Sequence, residues 1–229
     1  MVPKNFLNMN KLKILLSFLF LTLILTSCLN YTQVTTIKTD GSGELFVHYW
    51  MSWDSKEDSI WLNKLYIFNP DSVKKQFESA NNEINRVDTF INYEDSTIHT
   101  QVELEFVNFD SLLSTAAFKG SYFQLVDGPD GTKIISQFMA PVFIGIGINP
   151  KEYSYKIVYY LPGEILKHNA DSKDSNKLTW EYTLDEIGKG KNLTATFRPY
   201  KLKETPSWVY ISTLFVIIVV IFFLFRRRK

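Results

Sequence analysis

This chain of 229 residues has one cysteine, Cys28, and three histidines. A single thiol excludes an intramolecular disulfide framework. His48, His99 and His168 lie far apart in sequence, and none has a second ligand-type residue at metal spacing. Zinc sites need several convergent ligands, so surface histidines and no metal are expected. Charge of one sign is also missing: the net charge is +1 with 21% charged residues. Several cations belong to the two ends, so the central part is mildly acidic. It lacks the basic stripe of a nucleic-acid binder.

Catalytic signatures are absent as well. No serine stands in a Gly-x-Ser-x-Gly turn. Gly145-Ile146-Gly147 lacks the third glycine and following helix of a phosphate cradle. Asp127-Gly128-Pro129-Asp130-Gly131 resembles a calcium loop but lacks the repeated oxygen ligands and the closing glutamate; a hairpin turn explains it. Asn192-Leu193-Thr194 matches a glycosylation acceptor, a signal that rarely operates in bacteria. No nucleophile–base pair is visible, so the chain reads as non-enzymatic, with no catalytic residues and no cofactor.

What is present lies first at the ends. Lys4, Lys11 and Lys13 precede an apolar stretch from Ile14 to Leu25 of about 12 residues, the length of a signal-peptide h-region. Leu25-Thr26-Ser27-Cys28 follows, in the pattern of a bacterial lipobox. A thiolate is the nucleophile lipidation requires, and two or more acyl chains anchor stably where one is marginal. Leu25, Thr26 and Ser27 are therefore expected to be read by the signal peptidase. Cys28 is expected to carry a diacylglyceryl group.

At the other end, Trp208 to Phe225 has no charge or proline over about 18 residues, which predicts a transmembrane helix. Trp208 and Tyr210 sit where aromatic rings favour headgroups, and Arg226, Arg227, Arg228 and Lys229 would hold the C-terminus in the cytoplasm. The expected organisation is a signal peptide over 1–27, an extracytoplasmic domain over 28–205, a membrane helix over 206–225 and a basic tail over 226–229. That places the protein in the bacterial cytoplasmic (inner) membrane, with its domain outside.

Within the domain, Ile98, Thr100, Val102, Leu104 and Phe106 alternate with polar residues. That is the signature of a half-buried strand. Val87, Thr89, Ile91 and Tyr93 form its hairpin partner across Glu94-Asp95-Ser96. A hairpin around Asp40-Gly41-Ser42-Gly43 joins Tyr31–Thr39 to Glu44–Trp53. A third joins Tyr122–Val126 to Thr132–Met139. Later strands are expected over Tyr153–Leu161, Leu178–Leu184 and Leu193–Pro199. Asn69-Pro70-Asp71 opens a helix with Val73, Phe77 and Ala80 on one stripe. A second helix near Asp110 to Phe118 has Asp110 as its cap and Leu112, Leu113, Ala116 and Ala117 inward. The stretch Asp54–Tyr66 reads as a short helix or an irregular crossing. The fold class is α+β: a mostly antiparallel sheet with two or three short helices packed on one face, plus one C-terminal transmembrane helix.

One run breaks the alternation: Val142 to Ile148. It reads as a buried strand or, loosened by glycine, as the mobile lip of an apolar ligand site formed by Phe143, Ile144, Ile146 and Ile148, or as a surface that touches the membrane. The order of motifs also resembles a known group. After the lipobox come Val34–Lys38 with Asp40-Gly41-Ser42-Gly43-Glu44, then Leu161-Pro162-Gly163-Glu164. Asn169, Leu178-Thr179-Trp180-Glu181-Tyr182 and Leu193-Thr194-Ala195 follow. This order resembles the LppM-type bacterial lipoprotein domain family. The resemblance implies an α+β ectodomain with an apolar cavity that binds membrane lipids or glycolipids, and no catalytic residues. The stretch Asp54–Tyr66 has no counterpart in it. Expected partners are membrane lipids, one covalent at Cys28 and one bound, or a membrane-protein partner; nucleic acid is not expected.

Overall fold

In the computed structural model, the described residues are 29–53, 66–141, 151, 153–200 and 206–226. They fall in two compact units, Met1–Pro199 and Tyr200–Lys229. The first unit contains eleven described strands: β1 Leu29–Ile37, β2 Gly43–Ser52, β3 Asn82–Asn92, β4 Thr97–Phe106, β5 Tyr122–Asp127, β6 Lys133–Met139, β7 Ser154–Tyr160, β8 Gly163–His168, β9 Ser172–Asp174, β10 Lys177–Thr183 and β11 Lys191–Pro199. They form two sheets, a seven-stranded one in the order β3-β4-β2-β1-β7-β10-β9 and a four-stranded one in the order β5-β6-β11-β8. Every pairing is antiparallel except β1 with β7.

The expected hairpins form because their alternation and turn chemistry agree. In the first, Ser42 N–H bonds the Asp40 carboxylate at 3.0 Å and Gly41 takes φ 91°, a value that favours glycine. In the second, Val87 faces Val102, Thr89 faces Thr100 and Ile91 faces Ile98, so one apolar face is built from both strands.

The two sheets share one core. Val47, Val102, Leu104, Ile157 and Trp180 from the larger sheet are buried in the same cluster as Phe123, Ile135, Leu193 and Phe197 from the smaller. The helices do not cover one face of a single sheet, as the sequence suggested. The second sheet covers much of it, because β8 turns out of β7 at Leu161-Pro162 and joins β11 instead. Two polar devices tie the layers. Gln33 Nε2 and the Tyr159 hydroxyl of the larger sheet both donate to Gln137 Oε1 of the smaller, the first at 3.5 Å. Asn169 Oδ1 accepts from Trp180 Nε1 at 2.9 Å and from Thr194 N–H at 2.8 Å, one from each sheet.

Helix α1, Pro70–Phe77, opens as its sequence indicates. Asn69 accepts from Ser72 N–H at 3.0 Å, Pro70 occupies the first turn, and Val73 and Phe77 are buried. It stops before Ala80, which is exposed, because the Asn82 amide donates to the Phe77 carbonyl at 2.6 Å. The second expected helix is instead two 3₁₀ turns, Phe109–Ser114 and Ala116–Phe118, capped by Asn108. Asp110, the expected cap, accepts from Leu125 N–H at 3.0 Å. Among its expected inward residues Leu112 is buried, Leu113 and Ala116 are exposed, and Ala117 is half-buried. A short α2, Leu184–Ile187, carries a capping box from Thr183 and Glu186.

The second unit is built on α3, Ser207–Arg226. Among the described residues no helix is long and apolar enough to cross a membrane, which corrects the expected span over 206–225. Ser212 and Thr213 within it are polar, and both hydroxyls turn back to the Val209 carbonyl, at 2.9 and 2.8 Å.

Candidate functional site

One end of the larger sheet collects aromatic side chains. β1 begins there, with Leu29 opposite Met51 and Asn30 opposite Trp50. β2 finishes there, Ser52 facing Thr97, and the β3–β4 turn closes over it. β7 starts at the same level, Ser154 lying beside Asn30. Trp53 packs with Phe68 and Ile98 in a small cluster of their own. Its ring meets Tyr93 edge to face at 6.2 Å. Tyr93, Tyr66 and Phe90 are 78%, 65% and 43% exposed, an unusual concentration of large rings facing solvent on one end. Behind them, Tyr31 stacks between Tyr155 at 5.0 Å and Tyr49 at 6.5 Å. Burial raises the Tyr49 and Tyr155 hydroxyls to about 12 and pushes Tyr31 up further, helped by its two ring neighbours.

The outer face of β2, β3 and β4 carries a second cluster. His48 Nε2 and His99 Nδ1 are 3.0 Å apart. His99 stacks on Phe90 at 4.8 Å and lies 6.0 Å from Trp50. Its other nitrogen meets Thr97 Oγ1 at 2.7 Å, and the Thr97 hydroxyl donates to Asp95. The sequence separates the two histidines by 51 residues, and only the β2–β4 register, with Trp50 facing His99 and Gln101 facing His48, brings them together. The signal was available in part: His48 and His99 both occupy the polar side of an alternating strand. His168, at the end of β8, is exposed.

Leu25, Thr26, Ser27 and Cys28 lie outside the described residues, as do Phe143, Ile144, Ile146, Ile148, Arg227, Arg228, Lys229 and most of the stretch Asp54–Tyr66. Arg226 closes α3, and Trp208 and Tyr210 are exposed on its first turns. The space between the sheets holds Trp180, Tyr159, Phe109, Phe123 and Phe197, all buried side chains. A groove of about 330 Å³ on the outer face is bordered by Val34, Phe46, Asn85, Glu44, Glu103 and Glu105, a lining of mixed polar and apolar side chains. Asp127–Gly131 is a hairpin connection, with Gly128 N–H bonded to the Thr132 carbonyl at 2.8 Å. Among the described residues no group of three or more His, Cys, Asp or Glu converges as a metal site.

An NMR structure of the folded domain of LppM from Mycobacterium tuberculosis is similar to this chain, with a TM-score of 0.49 and 12% sequence identity. The similarity covers 76% of this chain and 91% of that one. No family model matches the sequence. No curated protein matches it either. What the chain does is therefore read from its own residues.

Proposed function

We propose that this chain is a non-enzymatic bacterial envelope lipoprotein whose domain binds lipid or another hydrophobic ligand at the membrane surface. The observation that carries the reading is where β1 begins. Its first residue, Leu29, directly follows Cys28, the cysteine of the lipobox. Adjacent Cα atoms are about 3.8 Å apart, so acyl chains on the Cys28 sulfur hold this end of the sheet against the bilayer with no linker between. Tyr66, Phe90 and Tyr93 are the exposed rings of that same end, and aromatic rings favour the headgroup layer. The turn between β1 and β2, with Asp40, lies at the far end of both strands.

Two measurements test this. Inhibiting lipoprotein signal peptidase should leave a precursor longer by the 27 residues before Cys28; a mature protein with an unmodified Cys28 thiol overturns the anchoring. With Cys28 acylated, Tyr93→Cys or Asp40→Cys introduces a unique thiol for an environment-sensitive dye. On vesicles, the dye at position 93 should shift to the blue and be quenched by doxyl lipids, while the dye at position 40 should not. Equal responses at the two positions overturn the orientation.

A further inference from the structure

His48 and His99 end a directed chain of hydrogen bonds on the outer face. Asp95 can only accept, so the single hydroxyl proton of Thr97 goes to it. Thr97 Oγ1 then accepts from His99 Nε2–H at 2.7 Å. The Nδ1 of His99 is therefore an acceptor, and His48 Nε2–H donates to it head-on at 3.0 Å, with ring centroids 5.3 Å apart. This contact has room for one extra proton and not for two. One added proton leaves an N–H⁺···N bond. A second sets N–H against N–H, with two cations at bonding distance. The protons therefore enter in separate steps, and the second parts the rings. Burial already disfavours the charged form of both rings; His99 adds to that on His48, while Asp95 opposes it on His99.

The immediate neighbours of the pair are neutral apart from Asp95. Thr32 of β1 and Gln101 of β4 face His48, and Trp50 of β2 and Phe90 of β3 face His99. The other described charges near it on this face have partners. Asp88 faces Gln101 and binds Arg86 at 2.5 Å, Glu103 meets Arg86 at 3.7 Å, and Lys156 of β7 binds Glu181 at 2.6 Å. Glu94 and Asp95 occupy the turn beyond His99. Register gives the height of the pair above the anchor. Asn30 faces Trp50, and Trp50 faces His99. His99 thus stands level with the second residue after Cys28, ~7 Å along the strand at ~3.3 Å per residue. That lies within the ~8–10 Å over which charges still act at moderate salt. Phe90, stacked on His99 at 4.8 Å, joins the pair to the exposed rings of that end. Given the orientation proposed above, on which this rests, we infer that the His48–His99 pair is an acid-operated contact for anionic lipid headgroups. Neutral, the rings bind each other; doubly protonated, they part and present two positive charges to the bilayer. An anionic surface favours the charged form where burial opposes it, so lipid charge and pH set the switch together.

The test uses the full-length acylated protein with the dye at Tyr93→Cys, on phosphatidylcholine vesicles with or without phosphatidylglycerol, all carrying doxyl lipid. Quenching is compared at about pH 7.5 and about pH 5, the range in which histidine changes charge. With phosphatidylglycerol, each charge near the surface strengthens attraction about fivefold, so quenching should rise at least about twofold on acidification. Without it, quenching should not change with pH. His48→Gln puts an amide N–H in place of Nε2–H and removes the second charge, so more than about half of the rise should be lost. His168→Gln should keep all of it. Circular dichroism checks folding, and His99→Gln takes the place of His48→Gln should that variant unfold. In detergent, histidine NMR resonances of the undyed protein should show the pair titrating in two steps, reduced to one in His48→Gln. No rise, an equal rise on both vesicles, a full rise in His48→Gln, or a single shared titration overturns the switch. A dye at position 93 that is unquenched at both pH values overturns the orientation as well, which tells the two failures apart.

Discussion

At the scale of single residues, the least conspicuous side chain carries one of the larger loads. Asn169 is exposed, and most exposed substitutions change stability by less than about 0.5 kcal/mol. Its amide oxygen nevertheless accepts from the buried Trp180 indole and from Thr194 N–H, and its amide nitrogen donates to the Asn192 carbonyl at 2.7 Å. Asn169→Ala leaves the indole N–H of a fully buried ring without its partner. A loss of about 1–3 kcal/mol in urea unfolding is expected, and a loss within 0.5 kcal/mol would show that water replaces the amide. The sequence held Asn169, Trp180 and Thr194 in separate motifs. Their convergence was not legible, because a side-chain bridge between two sheets leaves no periodic trace. Even spacing could not pair His48 with His99, since it says which face a residue occupies but not which strand lies beside it.

At the scale of elements, legibility followed periodicity. Strand β4 and its partner β3 could be read because strict alternation, a turn and matched apolar positions all agree. β8 and β9 escaped because their residues are mostly exposed and no apolar alternation marks them. The segment after Asn108 misled for a different reason. Phe109, Leu112, Thr115 and Phe118 are buried, and each is three residues from the next. That is the repeat of a 3₁₀ turn, not of an α-helix, and it moves Leu113 to the outside. Leu112→Ala should therefore cost about 2–5 kcal/mol, as for a buried leucine. Leu113→Ala, its neighbour, should stay within about 0.5 kcal/mol. Equal losses from the two, measured by thermal unfolding, would restore the α-helical reading. The C-terminal segment shows the opposite failure: its composition suggested a span, yet among the described residues no helix is long and apolar enough to cross a membrane.

At the scale of the whole molecule, the residues that join the strands also set the pH limits of the fold. Tyr31 of β1, Tyr49 of β2, and Tyr155 and Tyr159 of β7 all lose water on folding, and burial is the largest cause of each raised pKa. Tyr49 and Tyr155 keep their protons to about 12 in the folded state, against 10.0 for a free tyrosine. The unfolded chain therefore gives up these protons first as pH rises. The stability they represent is complete below pH 10 and is drained between pH 10 and 12. Tyr31 and Tyr159 add to the same direction. Because both sheets share one core, this loss should appear as cooperative unfolding of the first unit and not as fraying of one edge. The expected result is a thermal midpoint that falls steeply above pH 10, tyrosinate absorbance rising with the loss of near-ultraviolet circular dichroism. Tyr155→Phe removes one of these groups and should shallow the fall. A midpoint unchanged between pH 10 and 12, or tyrosinate forming while the fold persists, would mean that water reaches the stack of Tyr49, Tyr31 and Tyr155. The rings at the end nearest Cys28 would then form an open cleft.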